Sequence, residues 1–331
     1  MSSNIANTSD HLVFDPAYKT DLAAFGLNNP FALDRGEMVL AKISEEIGKP
    51  ATFIRPVPLT LEQVGLVHTP DYLESLKHSS TWAEIFEIKD PVFDSSGRLP
   101  GATKPFYEIF DDFLLKAGGT LLAAQMALKN GMCANLGAGY HHAFPDRGRG
   151  YCAINDVAIA VASLLKDGLI ERAMVVDVDF HQGDGTALCF ASDPRVFTFS
   201  IHSQEGWPES KQQSTLDIGI TESDKNNYLT RLQTGLDSAL EDFKPDFVML
   251  VDGSDAYEKD ILPGTKFLRL PLSVMQERSE YLINKFFALK VPLSLVFAGG
   301  YGPDVWQVHY ATVRQLLIKS GIACGASPAT L

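Results

Sequence analysis

Short apolar runs rich in valine, isoleucine and phenylalanine recur from residue 133 onward. They occupy residues 133–136, 173–178, 196–201, 246–251 and 293–298. Runs of this length with apolar residues at consecutive positions are typical of strands that are buried on both faces, as in a parallel sheet. The pattern therefore predicts a series of buried strands.

Segments with helical periodicity separate most of these runs. Helices are predicted over residues 106–130, 183–191, 223–243 and 273–289. The leucines of the third segment follow one helical face: Leu229, Leu232, Leu236 and Leu240. Strands alternating with helices predict an α/β fold, a three-layer sandwich with a central, mainly parallel sheet that binds ligands at the carboxyl ends of its strands. Because no repeat or low-complexity tract interrupts the chain, we expect a single domain over residues 1–331.

Two helix starts are marked in the amino-terminal third. Thr60 and Gln63 have the spacing of a capping box, in which each side chain bonds to the backbone N–H of the other residue. Thr69 followed by Pro70 offers an N-cap and a proline in the first helical turn. We expect a helix to begin after each of these threonines.

The region around the predicted helix at 106–130 carries two further signals. Residues 90–105 are rich in turn formers and too long for a simple connection, so we expect a loop at the mouth of a site. Within the helix, Gly118 and Gly119 lower the helix propensity, which indicates close packing against a neighbouring element rather than a ligand contact.

The composition is that of an ordinary folded protein. Of 331 residues, 45% are hydrophobic and 21% are charged, which excludes a disordered, collagenous or coiled-coil chain. The formal net charge is −13, so we expect no nucleic-acid binding, which needs a basic face. An acidic surface would instead attract a cationic substrate, such as a lysine-rich protein or a polyamine.

Cysteine usage and the terminal sequence indicate a compartment. Four cysteines without a CxxC pair resemble neither a disulfide framework nor a thiolate zinc site, which favours a reducing environment. The amino terminus lacks the basic start and apolar stretch of a signal peptide, and no run of about 18 apolar residues occurs. We therefore expect a cytoplasmic protein that does not insert into a membrane.

The segment VVDVDFHQGDG at residues 175–185 carries the strongest chemical signal. Alternate residues of a strand share a face, so Asp177, Asp179 and His181 point the same way at its carboxyl end. Two carboxylates in an apolar strand need partners, because an unpaired buried charge is costly. Aspartate oxygen and histidine nitrogen suit zinc or a similar divalent ion. The alternative is a strand end whose carboxylates are satisfied by helix N-termini or by an arginine.

A third metal ligand is expected from another strand end. The run at 246–251 leads through a glycine turn to Asp255, and Asp252 is the competing candidate. Asp252 lies within or at the end of the strand, whereas Asp255 follows the turn and can reach back across the top of the sheet. We therefore favour Asp255.

Adjacent histidines follow the first predicted strand, in the segment GAGYHHAF. A tight glycine-rich turn could hold His141 and His142 over the strand ends, and histidine has the pKa that suits proton transfer near neutrality. A dinucleotide-binding fingerprint starting at Gly137 fails, because His142 stands where its third glycine is required. The isolated histidines are interpreted as structural: His11, His68, His78 and His309.

A tyrosine stands in the glycine turn FAGGYG after the last apolar run. From the end of a strand, the Tyr301 hydroxyl can reach a site and donate a hydrogen bond to a developing oxyanion. The alternative is a turn tyrosine that only packs. Together with the other three clusters, the functional interpretation is favoured.

These four clusters resemble the histone deacetylase family of zinc-dependent acyl-amide hydrolases, which has the arginase/deacetylase fold. The resemblance runs from about Leu61 to Tyr301 and beyond, and rests on the segments GAGYHHAF, GYCAIND, VVDVDFHQGDG, FSIH, GSDAYEKD and AGGYG in the expected order. Gln182 stands where many members carry a second histidine. Together with the stretch GLNNPF at residues 26–31, it looks more like the class IV and related bacterial branch.

The resemblance implies two kinds of bound ion. It places zinc (Zn²⁺), with Fe²⁺ as the alternative metal, on Asp179, His181 and Asp255. It also implies a structural monovalent cation, usually potassium (K⁺), behind the metal. The residues near that cation would be Asp177, Asp179, His181, Ser200 and Ile201.

The resemblance also assigns catalytic roles. His142 would be the general base that activates water and then the acid that protonates the leaving amine, with Asp184 orienting it. Asp177 would pair with His141, whose imidazole assists electrostatically. Tyr301 would bind the carbonyl oxygen of the substrate.

The walls of the acyl-lysine tunnel are aromatic in relatives. Tyr151 and Trp207 stand at the corresponding places, with the Gly150 backbone lining the channel, and tyrosine replaces the commoner phenylalanine. Residues 90–105 have no counterpart in the family that we can place, so we expect them to influence substrate choice.

The expected function is removal of acetyl or longer acyl groups from lysine side chains of proteins or peptides. Acetylated polyamines and other small acetyl amides present the same bond and stay open as substrates. An arginase-type ureohydrolase with two manganese ions would need D-x-H-x-D, and Gly183 occupies the place of its last aspartate. A binding protein without turnover would have lost a metal ligand, the histidine pair or the tyrosine, and all are present. The oligomeric state stays open.

Overall fold

The computed structural model describes residues 7–27 and 33–325. Within them seven strands form one sheet. The strands are β1 Leu12–Val13, β2 Met132–Asn135, β3 Ala173–Asp177, β4 Val196–Ser203, β5 Leu216–Ile220, β6 Phe247–Asp252 and β7 Leu293–Phe297. Their spatial order is β1-β2-β7-β6-β3-β4-β5, and every neighbouring pair is parallel. The stretch at 26–31 lies mostly outside the described residues.

Helices cover both faces of this sheet. The described α-helices are α1 Arg35–Ile47, α2 Leu61–Val64, α3 Pro70–Ser75, α4 Ser79–Ile85, α5 Phe110–Asn130, α6 Asp156–Lys166, α7 Asp184–Cys189, α8 Tyr228–Asp242, α9 Leu272–Leu289 and α10 Trp306–Lys319. Along β3, Met174 and Val176 belong to the core shared with α1, α8, α9 and α10, whereas Ala173 and Val175 belong to the core shared with α5 and α6. The molecule is therefore the three-layer α/β sandwich that the sequence predicts. Within the described residues, no helix is long and apolar enough to span a membrane.

The predicted strands are all present, and two edge strands were missed. Each predicted run overlaps an observed strand, with ends that differ by up to two residues. The missed strands, β1 and β5, lie at the two edges of the sheet. β1 is two residues long, and β5 alternates buried with more exposed positions. Neither forms the continuous apolar run that a strand buried on both faces produces.

The predicted helix starts agree with the structure in most places. Thr60 Oγ1 accepts from Gln63 N at 3.3 Å while Thr60 N donates to Gln63 Oε1 at 2.9 Å, which completes the capping box of α2. Thr69 caps α3 through Tyr72 N. Two helices begin later than predicted, because α5 and α8 are each preceded by a 3₁₀ segment, Phe106–Ile109 and Glu222–Asn227 respectively.

Two helical glycines allow close approach to α5, as predicted. A Cβ on Gly118 would lie 1.9 Å from the carbonyl oxygen of Val57, and one on Gly119 would lie 1.9 Å from the hydroxyl of Tyr18. Because a backbone carbonyl cannot rotate away as a side chain can, residues 57–59 need glycine at position 118.

We expect Gly118→Ala to lower the free energy of unfolding by about 1–3 kcal/mol through overpacking, despite the better helix propensity of alanine. Urea denaturation measures this change. Gly264→Ala is the control, since a Cβ at Gly264 has no neighbour within 4 Å and its unfolding should change little. Equal stability of Gly118→Ala and the wild type would show that residues 57–59 can move away from the helix.

Candidate active site

The four chemical clusters of the sequence meet at one edge of the sheet. β2, β7, β6 and β3 are adjacent and parallel, so their carboxyl ends lie side by side. The histidine pair follows β2, Asp179 and His181 follow β3, Asp255 follows β6, and Tyr301 follows β7. A cavity at this edge is lined by residues from three of these turns, including His142, His181 and Tyr301.

Asp179, His181 and Asp255 form a buried cluster. Each offers one ligand atom, and these atoms lie within 4.8 Å of one another. His181 Nδ1 lies 3.2 Å from Asp179 Oδ1 and 2.8 Å from Asp255 Oδ2. Despite that short distance, Asp255 Oδ2 is buried and accepts no hydrogen bond of acceptable geometry. Two buried carboxylates converging on one imidazole, with an oxygen left over, fit a divalent cation.

Glycines keep the surroundings of the cluster free of side chains. A Cβ on Gly299 would lie 2.3 Å from Asp255 Oδ2 and 2.7 Å from Asp179 Oδ2, and one on Gly253 would lie 2.2 Å from Asp179 Oδ2. Gly299 N also donates to Asp179 Oδ2 at 2.7 Å. The backbone therefore packs directly against both carboxylates and fixes their orientation.

The competing carboxylate, Asp252, is committed to a different task. Its Oδ1 accepts from Arg278 Nη2 at 2.7 Å, and its Oδ2 lies 3.2 Å from His309 Nδ1. Arg278 also donates to the carbonyl of Val178 at 2.8 Å, which ties the end of β6 to the segment after β3. The ion pair between Asp252 and Arg278 thus connects the carboxyl ends of β6 and β3, from which the Asp–His–Asp cluster extends.

Each histidine of the pair is held by its own aspartate. His142 Nδ1 lies 2.6 Å from Asp184 Oδ1, and His141 Nδ1 lies 2.7 Å from Asp177 Oδ2. Because an ionised carboxylate only accepts hydrogen bonds, both Nδ1 atoms carry hydrogen. When His142 is neutral, its Nε2 therefore has a lone pair that can accept a proton.

The two imidazoles differ in charge. Burial lowers the pKa of His142 to about 3, and the neighbouring charge on His141 contributes, although Asp184 opposes the shift. Burial also disfavours a charged His141, but the carboxylates of Asp177 and Asp179 outweigh it and raise the pKa of His141 to about 9. The pKa values of these two imidazoles, whose ring centroids lie 4.0 Å apart, thus shift in opposite directions.

Two residues of the GYCAIND segment hold the histidine turn in place. Asn155 Nδ2 donates to the carbonyl of Ala143 at 3.1 Å. Asp156 accepts from Gly139 N at 3.1 Å and from Tyr140 N at 2.6 Å. The sequence alone did not reveal a role for Asn155 and Asp156, because their hydrogen-bond partners are backbone groups of a separate turn.

The tyrosine turn is anchored by a carboxylate that sequence reasoning also missed. Tyr301 N donates to Asp260 Oδ2 at 2.7 Å, and Leu262 N donates to Asp260 Oδ1 at 2.9 Å. Gly300 adopts a φ of 146°, which an L side chain rarely adopts. Burial raises the pKa of the Tyr301 hydroxyl well above its usual value, so this group stays protonated and can donate.

Two of the three predicted wall residues line the cavity, whereas Trp207 is not among the described residues that line it and packs beside one of them. Gly150 and Tyr151 line it at the tip of a tight turn, with φ values of 53° and 63°. Trp207 packs against the same turn, since a Cβ on Gly150 would lie 2.7 Å from its ring. Its ring also meets His142 edge-on, with centroids 4.7 Å apart.

Gln182 supports the segment that carries Trp207. Its buried Nε2 donates to the carbonyl of Gln212 and to Asp217 Oδ1, both at 2.7 Å, and its Oε1 accepts from Gln212 N at 2.8 Å. The amide therefore fixes one end of the loop between β4 and β5.

The loop at residues 90–105 does not lie where we expected. The described residues that line the cavity include none from this loop. It packs on other segments instead: Thr103 N donates to Ala24 O at 2.8 Å, and Ser79 Oγ donates to Gly97 O at 2.7 Å. These contacts hold the loop against the amino-terminal region and the start of α4.

The residues named for a monovalent cation lie on adjacent strands. Ser200 of β4 is directly opposite Asp177 of β3. Asp177 Oδ1 accepts from Asp179 N at 3.1 Å, and Ser200 Oγ lies 2.9 Å from His202 Nδ1. The potassium site, with Ile201 and His181, stays a prediction.

Comparison with known proteins shows the family to which the chain belongs. The histone deacetylase domain model matches residues 29–317. An uncharacterized protein of Picosynechococcus sp. is 39% identical over 198 residues, which are 60% of this chain and 65% of that protein. Histone deacetylase 2 of Arabidopsis thaliana is 25% identical over 88% of this chain and 74% of its own length. The acetoin utilization protein AcuC of Staphylococcus aureus is 27% identical over 84% of this chain and 74% of its own length.

A solved structure supports the same fold. The HD domain of HDA15 superposes with a TM-score of 0.66 at 18% identity, covering 93% of this chain and 90% of that one. An all-parallel α/β sheet with an Asp–His–Asp cluster at its carboxyl edge defines a protein of the arginase/deacetylase fold. The chain belongs to the histone deacetylase family, a family of deacetylase hydrolases.

Proposed function

We propose that this chain is a zinc-dependent deacylase that hydrolyses the acetyl or longer acyl amide on lysine side chains of proteins or peptides. The observation that carries the proposal is a cavity lined by His142, Tyr301, Asp179 and His181, with Asp255 completing the buried Asp–His–Asp cluster. Membership of the histone deacetylase family supports the reaction type.

The buried cluster would hold the metal. Asp179, His181 and Asp255 supply two oxygens and one nitrogen, a donor set suited to Zn²⁺ and also to Fe²⁺. When bound, such an ion polarises a carbonyl group and lowers the pKa of water. Asp184 takes no part in this cluster: its Oδ1 is bonded to His142, which disfavours a second metal ion of the arginase type.

The protein's own groups would move the proton and stabilise charge. His142 Nε2 accepts a proton from the attacking water and returns it to the amine as the C–N bond breaks. Asp184 keeps the imidazole oriented, and the cationic His141 favours the negative charge that develops nearby. Tyr301 donates a hydrogen bond to the substrate carbonyl oxygen as it becomes an oxyanion.

The test is hydrolysis of a fluorogenic acetyl-lysine peptide by the full chain. We expect activity that is lost on chelation, restored by Zn²⁺ and blocked by a hydroxamate. Activity that is restored by Fe²⁺ and not by Zn²⁺ would identify iron as the metal. Two transition-metal ions per chain in elemental analysis would indicate an arginase-type centre. Activity that survives complete metal removal would overturn the proposal. A panel that varies acyl length, and compares peptides with acetylated polyamines, then defines the substrate.

Replacing Tyr301 by phenylalanine is expected to lower kcat by about 10²–10³, since one oxyanion donor is removed. KM should change much less, because the donor acts mainly in the transition state. Steady-state kinetics on the acetyl-lysine peptide measures both. Tyr107→Phe, at an exposed tyrosine outside the cavity, is the matched control and should behave as the wild type. A normal kcat for Tyr301→Phe would show that the hydroxyl does not stabilise the oxyanion.

A further inference from the structure

Arg149 links Asp184, the partner of His142, to Trp207, which packs beside the cavity-lining residue Gly150. Its Nη1 lies 3.2 Å from Asp184 Oδ2, and its guanidinium carbon lies 4.4 Å from the centre of the Trp207 ring. The side chain is 29% exposed, so part of it is accessible to solvent. Neither the sequence patterns nor the resemblance to the family drew attention to this residue.

Arg149 forms an ion pair with the buried carboxylate of Asp184. Asp184 Oδ1 is used by His142 Nδ1 at 2.6 Å and by Gly185 N at 3.0 Å. Asp184 Oδ2 is buried and accepts no hydrogen bond of acceptable geometry, which leaves the ion pair with Arg149 as its compensation. A buried carboxylate needs such a partner, and the pair restricts rotation of the carboxyl group that orients His142.

Arg149 also holds Trp207 from one side. The ring is confined by the guanidinium, by the Gly150 backbone and by the edge of His142. Arg149 is itself fixed, since Arg149 N donates to Cys152 O at 3.1 Å and Cys152 N donates to Arg149 O at 2.9 Å. A planar guanidinium can stack and form an ion pair at once, which an ammonium group cannot do equally well.

The charge of Arg149 bears on the substrate. Among the described residues that line the cavity, the basic side chains are Arg35, Lys116 and the histidines, and the acidic side chain is Asp179. Asp179 belongs to the metal-ligand cluster. Among the described lining residues, no other carboxylate can therefore form an ion pair with the free ammonium groups of an acetylated polyamine. Arg149 directly precedes the lining residue Gly150 and is partly exposed, so its charge would repel such groups, although the chain as a whole carries −13.

We propose that Arg149 is a positioning and specificity-determining residue. It holds the Asp184 carboxylate and the Trp207 ring in fixed positions relative to each other. Its charge favours acyl-lysine peptides with acidic flanking residues over cationic peptides and acetylated polyamines. The inference rests on the proposed deacylase function. It goes beyond that function by choosing among the substrate classes that carry the same bond.

The test compares Arg149→Gln and Arg149→Lys with a neighbouring control, Arg147→Gln. Arg147 lies in the same loop and is 53% exposed, but it pairs with Asp146 and stacks on Phe144. Two acetyl-lysine peptides, one with flanking glutamates and one with flanking lysines, and an N-acetylated polyamine serve as substrates. Quenching of Trp207 fluorescence by acrylamide, with Trp207→Phe as the blank, measures how accessible the Trp207 ring is.

We expect the wild type to prefer the glutamate-flanked peptide and to turn over the polyamine poorly. Arg149→Gln should lower kcat on the order of tenfold, reduce the peptide preference about two- to fivefold and make Trp207 easier to quench. Arg149→Lys should keep the preference, which depends on charge, while its kcat still falls and its Trp207 still becomes easier to quench. Arg147→Gln should leave kcat, the preference and the quenching unchanged.

The outcomes separate this inference from the proposed function. An inactive wild type would overturn the deacylase proposal itself. An active wild type with unchanged kcat and preference in Arg149→Gln, or efficient turnover of the acetylated polyamine, would overturn only the role of Arg149. If Arg149→Gln does not fold, Arg149→Lys decides: an unaltered kcat and quenching in this variant would disprove the positioning role.

Discussion

Asp255→Asn is expected to yield a folded chain that binds metal more than about 100-fold more weakly and shows no measurable deacetylase activity. The substitution removes one of three ligand atoms that lie within 4.8 Å of one another, and the two that remain cannot complete a three-ligand site. Loss of an outer partner alone weakens metal sites by about 10–100-fold, so loss of a ligand should exceed that range. Elemental analysis and hydrolysis of the acetyl-lysine peptide measure the two effects.

The stability of Asp255→Asn should not fall below that of the metal-free wild type. Burial raises the pKa of Asp255, and the adjacent carboxylate of Asp179 raises it further, so in the absence of metal the charged form is disfavoured. Replacing it by a neutral amide removes that repulsion. Thermal unfolding after chelation checks this point and ensures that lost activity is not lost folding.

Asp252→Asn provides the matched control for the ligand assignment. This variant should keep its metal but lower the free energy of unfolding by about 3–5 kcal/mol, because it leaves Arg278 buried without its partner carboxylate. Metal loss in Asp252→Asn together with metal retention in Asp255→Asn would reverse the assignment of the two aspartates.

His142→Ala is expected to lower kcat by about 10²–10⁴ while the metal content stays at the wild-type level. The substitution removes the imidazole whose Nε2 would accept and return the proton, and Asp184 keeps its ion pair with Arg149, so the buried carboxylate is not left alone. Single-turnover and steady-state rates on the acetyl-lysine peptide measure the loss.

Two further variants make the result for His142 specific. His78→Ala changes an exposed histidine at the start of α4 and should leave the rate unchanged. Asp184→Asn should reduce kcat with His142 still present, because an amide does not fix the protonated Nδ1 as a carboxylate does. If His142→Ala retains the wild-type kcat, the proton is carried by another group.

The central strands and the positions of the chemical clusters were predictable because both are properties of consecutive residues. A strand buried on both faces needs apolar side chains at every position, so β3 and β6 appear directly in the sequence. Polar residues placed just after such strands, including His142 and Asp179, must then lie at one edge of a parallel sheet. The edge strands β1 and β5 lack burial on both faces and left no comparable pattern.

Other features depend on partners that are distant along the chain. The sequence favoured Asp255 over Asp252 because Asp255 follows the turn, but it did not reveal the ion pair between Asp252 and Arg278, 26 residues further along the chain. Likewise, the loop at 90–105 has the composition of a loop at a site, yet it forms hydrogen bonds with Ala24 and Ser79 and contributes none of the described residues that line the cavity.

The sequence by itself determined the layered α/β fold, the edge of the sheet that carries the chemistry, and the residue types that converge there. Only the tertiary structure decided that Asp252 forms an ion pair with Arg278 and that Arg149 joins Asp184 to Trp207. The physical reason is that burial and periodicity act along consecutive residues, whereas charge pairing and ring packing depend on which side chains folding brings within a few ångströms.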